Sequence, residues 1–376
     1  MEKKEAWCTV ILFFGTLFIT AILLFALPKK SYSPAEKRYL AERPEFRMEA
    51  AKDGSLADGT EEYLADHFPL RSAFVTLYGA YGKAIGHKEI GGAYLCGKGF
   101  LMTKLTEEDI NPKLFRDNIK ALRKFGDTLS EAGIVYRVML VPSASLSLNT
   151  LLPANAPVYR QEEYMDEAAE ALGDAFTDTR GALAGEAYYY RSDHHWTTEG
   201  AYRAYRVWDD SCGREPVLEE AYEKKTVSRD FLGTLYAKTL TGSTFGRMQP
   251  DCVTAYEYPD GIRQIVADGK TMAYYLDEGK MGDRYDAYSA FFGGNHAEMT
   301  LSCAGETGNL LVLKDSFANC FLPLLASEFR TVSVLDLRYY NGSVQDYIAD
   351  HNITEVLVLY GMDGFMEEQT VRKVGR

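Results

Sequence analysis

The sequence predicts an α/β protein with a parallel central sheet. Two observations carry that reading. The last third alternates strand-like and helix-like segments, from NLLVLKDS (309–316) to TEVLVLYG (354–361). An earlier apolar run, IVYRVMLVPS (134–143), follows a long amphipathic stretch and has the near-continuous hydrophobicity of a buried parallel strand. Helices feeding parallel strands imply right-handed crossovers, with active sites at the carboxyl ends of the strands.

Taken in order, the chain opens with Trp7–Leu27, an uncharged run of 21 residues. At the helical rise this length just spans a hydrocarbon core. Lysines flank both sides, at Lys3 and Lys4 and again at Lys29 and Lys30. The run is long for a signal peptide and no A-x-A site closes it, so an uncleaved anchor with an external C-terminal domain is expected. Residues 1–28 are therefore read as a membrane anchor. Residues 29–105 are read as a stalk to about residue 60, two short helices broken near Phe68-Pro69, and a hairpin in GGAYLCGKGFLM (91–102). Residues 106–376 are read as the α/β domain.

Within that domain a helix is predicted over 112–132, with Phe115, Ile119, Leu122, Phe125 and Leu129 on one stripe, ended by Gly133. A second is predicted over 161–173, and a third after Thr197-Thr198-Glu199. Segments between about 225 and 305 are short, glycine-punctuated and rich in Thr, Tyr and Val, which predicts a β-rich insertion. Then come a strand (309–316), a helix (317–329), a strand (331–338), a helix (343–352) and a strand (354–361).

Composition narrows the function. The formal net charge is −13, so no basic field exists to neutralise phosphates, and a nucleic-acid partner is not expected. Neutral sugars remain compatible. Six cysteines are scattered with no C-x-x-C pair, so free thiols are expected.

Chemistry concentrates in two places. Asp193-His194-His195-Trp196 places a carboxylate two residues from an imidazole, which can orient the ring and hold its charged form. Lys314-Asp315-Ser316-Phe317 puts a serine where a buried strand becomes a helix. A serine at such a junction is most often a simple helix cap. The two motifs together point instead to a triad: Ser316 as nucleophile, His195 as general base and acid, Asp193 as its orienter. The Ser316 amide and Asn295, in Gly293-Gly294-Asn295, are candidate oxyanion donors, although Asn295 also suits a positive-φ turn. Arg338 is read as a substrate-positioning cation or a surface ion pair. Trp196 is expected to pack beneath the site and His194 to lie outward or behind it. His67 is read as a surface or cap residue, and His296 and His351 as solvated. Asp193, His194, His195, Glu199 and His296 allow a metal site, which ranks below the triad, so neither metal nor cofactor is expected.

Taken together, SDHHWTTEGAY, FFGGNHAEM, LLVLKDSFANCFLPLL and VLDLRYY resemble the DHHW protein family, as do the earlier SYSPAEKRYLAERPEF and DHFPLRSAF. The resemblance runs from about residue 31 to 376. That family is similar to alginate O-acetyltransferase proteins with an SGNH-hydrolase-like fold, which implies a three-layer α/β/α domain. Those proteins carry Asp-x-His-Trp and a later serine, in an order permuted from ordinary SGNH esterases, and Asp193, His195 and Ser316 match it. Lys314 departs from the pattern, standing where many SGNH proteins have glycine. The resemblance implies a cell-surface O-acyltransferase or esterase, with acetyl the expected group and a polysaccharide or cell-wall polymer the expected partner. It also implies a donor supplied by a membrane-bound O-acyltransferase. The alternatives are a non-catalytic glycan- or envelope-binding protein and, last, a metal-dependent hydrolase.

Overall fold

The computed structural model describes residues 2–241 and 248–375. Its centre is a seven-stranded sheet. The strands are β1 (Val135–Val141), β2 (Ile262–Ala267), β3 (Lys270–Met272), β4 (Glu298–Cys303), β5 (Thr307–Lys314), β6 (Phe329–Leu335) and β7 (Glu355–Gly361). Their order is β3-β2-β4-β6-β5-β7-β1. From β6 to β1 all pairings are parallel, whereas β3, β2 and β4 add on antiparallel. The α/β reading therefore holds, and the insertion is β-rich as expected. Three of its strands extend the central sheet, a pairing that local sequence does not reveal. Two others, Glu223–Phe231 and Asp251–Glu257, form a separate ribbon.

Alternation along the strands divides the core into two layers. On β5, Leu310 and Val312 face one hydrophobic cluster while Leu311 and Leu313 face the other. The helix Pro112–Glu131 covers the second face. Asn111 caps it by accepting from the Leu114 amide at 3.0 Å, and Pro112 supplies a first-turn residue that needs no donor. Its predicted stripe, Phe115 to Leu129, is buried as read. Each such side chain contributes about 1.5–3 kcal/mol when fully buried. Helix Thr198–Ser211 covers the opposite face, burying Tyr202, Tyr205 and Trp208.

Two segments depart from expectation. The stretch 317–329 is not one α-helix but two 3-10 turns, Ser316–Cys320 and Leu322–Ser327, because Pro323 lacks the donor a continuous helix needs. Leu232-Gly233-Thr234 does not lead a strand. It opens a short helix, Thr234–Thr239, within LGTLYAKTLTG (232–242), one of the stretches expected to be β, whose last residue, Gly242, lies outside the described residues.

At the N-terminus, Glu2–Ala26 is helical, and Glu5–Ala26 forms a 22-residue apolar span with none of its window buried. The segment read as a stalk carries a two-residue ladder, Tyr32–Ser33 with Arg38–Tyr39, and a helix, Met48–Asp53. Arg38 pairs with Asp66, and Lys37 reaches Asp286 of the main domain at 3.3 Å. The two helices broken at Phe68-Pro69 are Ser55–Asp66 and Arg71–Ala84. The hairpin is the larger part of a three-stranded sheet, with Gly91 and Gly92 both at positive φ in its first turn.

Candidate active site

The site lies at the carboxyl edge of the parallel strands. β5 ends at Lys314, and Ser316 opens the 3-10 turn that follows. Asp315 fixes this turn. One of its carboxylate oxygens accepts from the Phe317 amide and the other from the Gly361 amide at the end of β7, each at 2.9 Å. Burial pushes the Asp315 carboxyl up, and those two amide donors offset part of that rise. Gly361 is needed there because a Cβ would sit 2.4 Å from the Phe317 ring.

His195 arrives from a loop 121 positions earlier, its Nε2 2.8 Å from Ser316 Oγ. Its Nδ1 lies 2.5 Å from Asp193 Oδ1, which also accepts the His195 backbone amide at 3.0 Å. An ionised Asp193 accepts the Nδ1 proton, which leaves Nε2 as the acceptor for the serine hydroxyl. Ser316 is only partly buried, whereas His195 and Asp193 are 5% and 2% exposed. Burial opposes charge on Asp193, but the imidazoles of His194 and His195 hold its carboxyl well below the usual range.

Several groups that fix this arrangement escape sequence reading. Thr234 donates to Asp193 Oδ2 twice, from its amide at 2.7 Å and its hydroxyl at 2.9 Å. Gly233 lets that backbone approach, since a Cβ there would fall 2.2 Å from Asp193 Oδ2. Asp251 accepts the backbone amides of Arg191 and Ser192 and so sets the loop. Tyr288 stacks on the His195 ring, with centroids 4.0 Å apart, and its hydroxyl donates to the Ser316 carbonyl at 2.9 Å. Thr234, Asp251 and Tyr288 all come from the β-rich insertion, and none carries a local motif that points to the site.

The remaining predicted residues are placed as follows. Trp196 is fully buried, and its indole donates to the Phe317 carbonyl at 2.9 Å. His194 lies behind Asp193, its Nδ1 2.6 Å from Thr234 Oγ1, with part of the ring exposed. Asn295 accepts from Lys314 Nζ at 2.8 Å and from Asn319 at 3.3 Å through Oδ1, which leaves its Nδ2 as a donor. Lys314 is buried and also donates to Asn319 at 2.9 Å. Burial lowers its ammonium to about 8 despite Asp336 and Asp315 nearby. Arg338 follows β6, where both oxygens of Asp336 hold its guanidinium. Of the two histidines expected to be solvated, His351 is exposed, whereas His296 is half-buried. His296 pairs with Asp268 at 2.8 Å, and His351 stacks on Tyr347. His67 sits at a helix C-cap.

Asp193, His194 and His195 also offer ligand atoms within 4.8 Å of one another. A cation there would compete with bonds already made: both His195 nitrogens are engaged, and each Asp193 oxygen accepts two donors. The donor set therefore fits a hydrogen-bonded relay better than a metal site.

Residues 176–335 match the family described as DHHW protein. The chain is similar in structure to a DHHW family protein from Eubacterium siraeum, at 22% identity and a TM-score of 0.63, over 77% of this chain and 96% of that one. It is also similar to Bacillus cereus PatB1, solved with a sulfonyl adduct, at 20% identity and a TM-score of 0.59, over 72% and 95% of the two chains. The O-acetyltransferase domain of Pseudomonas putida AlgJ aligns at 15% identity with a TM-score of 0.46, over 76% and 99%. No curated protein matches the chain. The fold is thus the SGNH-like one that the resemblance implied, and the likeness to the DHHW family is found again in both sequence and structure.

Proposed function

We propose that this chain is a serine-dependent O-acyltransferase or esterase, acting on the hydroxyls of a polysaccharide or cell-wall polymer outside the membrane. The observation that carries the proposal is the line from Asp193 through His195 to Ser316, with contacts of 2.5 and 2.8 Å. His195 takes the Ser316 proton as Oγ attacks the acyl carbonyl. The carbonyl π bond opens to an oxyanion, and the Ser316 amide with Asn295 Nδ2 are its proposed donors. Collapse expels the donor's leaving group, which takes the proton from His195. An acceptor hydroxyl then gives its proton to His195 and attacks the acyl-serine, and on collapse His195 returns that proton to the departing Ser316 Oγ, which regenerates the free serine. Water in place of the sugar makes the same site an esterase. Arg338 is assigned to positioning the acceptor at the same sheet edge. Acetyl is the proposed group, and a membrane-bound acyl donor is the proposed supplier. The apolar helix Glu5–Ala26 is read as a single-pass anchor that holds the site outside the cell.

The test is acyl transfer from p-nitrophenyl acetate to an oligosaccharide, measured beside acetate release to water. Ser316→Ala is expected to abolish both, by about 10³-fold or more. Undiminished activity in that variant overturns the assignment. A glycan that binds without turnover, in a protein whose Ser316 resists serine reagents, favours the binding-protein reading.

A further inference from the structure

The helix Arg71–Ala84 is amphipathic the wrong way round for a water-soluble domain. Its packed side is small: Gly79 and Gly82 are its only buried residues, with Val75 half-buried beside them. Thr76 donates to the Ser72 carbonyl at 2.8 Å and lies 3.3 Å from the Leu240 carbonyl oxygen, and a Cβ on Gly79 would meet Thr241 at 3.0 Å. Its outer face is apolar and open. Leu70, Phe74, Leu77, Tyr78, Tyr81 and Ile85 are between 55% and 73% exposed. At 3.6 residues per turn the four within the helix, Phe74, Leu77, Tyr78 and Tyr81, fall within an arc of about 100°, and Leu70 and Ile85 flank it at the two caps. A contiguous exposed patch of this kind marks an interaction surface.

Its place in the chain says what covers it. The apolar span ends at Ala26, and His67 Nε2 lies 3.2 Å from the Lys30 carbonyl oxygen. Lys30 is four chain steps on from Ala26, a reach of at most about 14 Å. The helix pair is therefore tethered where the span leaves the bilayer. Tyr78 and Tyr81 suit that interfacial zone. The net charge of −13 gives no electrostatic pull toward an anionic surface, so contact must come from apolar burial. We infer that the Leu70–Ile85 face lies on the outer leaflet and holds the domain against the membrane at a fixed orientation. This rests on the anchor reading above.

The experiment uses the full chain in phosphatidylcholine nanodiscs, with Cys8→Ser and Cys252→Ser removing the exposed thiols. A fluorophore is attached at Leu77→Cys, with Tyr81→Cys as a second site on the same stripe. Leu17→Cys reports the span, and Lys113→Cys an exposed helix of the main domain. The expected result is loss of most fluorescence to a lipid-borne nitroxide at 17, 77 and 81, while 113 is quenched only by aqueous iodide. If 77 and 81 behave like 113 while 17 is quenched by lipid, the inference fails and the anchor stands. Shielding of 77 and 81 from both quenchers also overturns it, in favour of a second copy or a protein partner. If 17 is not quenched by lipid, the anchor reading itself fails.

Discussion

At the residue scale, the proposed mechanism turns on an ionised Asp193, which sets the His195 tautomer that can act as base to Ser316. Asp193 accepts four donors, two on each oxygen. Asp193→Asn replaces one of those acceptors with a donor that faces Thr234 or His195. The His195 tautomer is then lost, and hydrolysis of p-nitrophenyl acetate is expected to fall by about 10³-fold or more, with the fold unchanged by circular dichroism. Undiminished turnover would remove Asp193 from the mechanism. The Asp193–His195 half was legible because both residues sit in one short motif whose spacing is itself the geometry. Ser316 was legible because an apolar strand ends beside it. Tyr288 was not, because a tyrosine among 26 carries no signal until the fold stacks it on the imidazole.

The decisive element is the Gly233-Thr234 turn, which carries two donors into the site from the insertion. Gly233→Ala would drive a methyl to 2.2 Å from Asp193 Oδ2. One or both loops must shift, with an expected loss of about 1–3 kcal/mol in thermal unfolding and loss of turnover. A variant with wild-type stability and activity would show that this approach is not required. Sequence reading took this stretch for β structure, since glycine punctuation with Thr and Tyr suits a strand as well as a short helix. Only its tertiary partner, a buried carboxylate from another loop, distinguishes the two. The 3-10 turns after Ser316 were misread as one helix for a related reason: their side chains are apolar almost throughout, and only Pro323 marks the break.

For the molecule as a whole, the two ends of the parallel sheet have different tasks. The carboxyl edge holds the proposed chemistry. At the opposite edge Glu328, just before β6, is packed near Glu355 and Asp209 around Arg214. Burial, then the Glu355 charge, raises the Glu328 carboxyl from 4.5 to about 8. Its folded pKa lies above the unfolded one, so its contribution to stability is complete below about 4.5 and is lost as pH rises to about 8. Glu328→Gln should therefore unfold at a less pH-dependent temperature over that window, and its stability relative to wild type should rise with pH. A constant difference would contradict that environment. Strand and helix order was legible from hydrophobic periodicity, whereas the antiparallel extension of the sheet was not, because pairing between distant strands leaves no local pattern. A Ser316 nucleophile activated by His195 is open to direct chemical trapping. Mass spectrometry of the protein after phenylmethanesulfonyl fluoride tests it most directly. A sulfonyl adduct is expected on the peptide containing Ser316, absent from Ser316→Ala and strongly slowed in His195→Ala. An unmodified Ser316, or labelling that ignores His195, would contradict it.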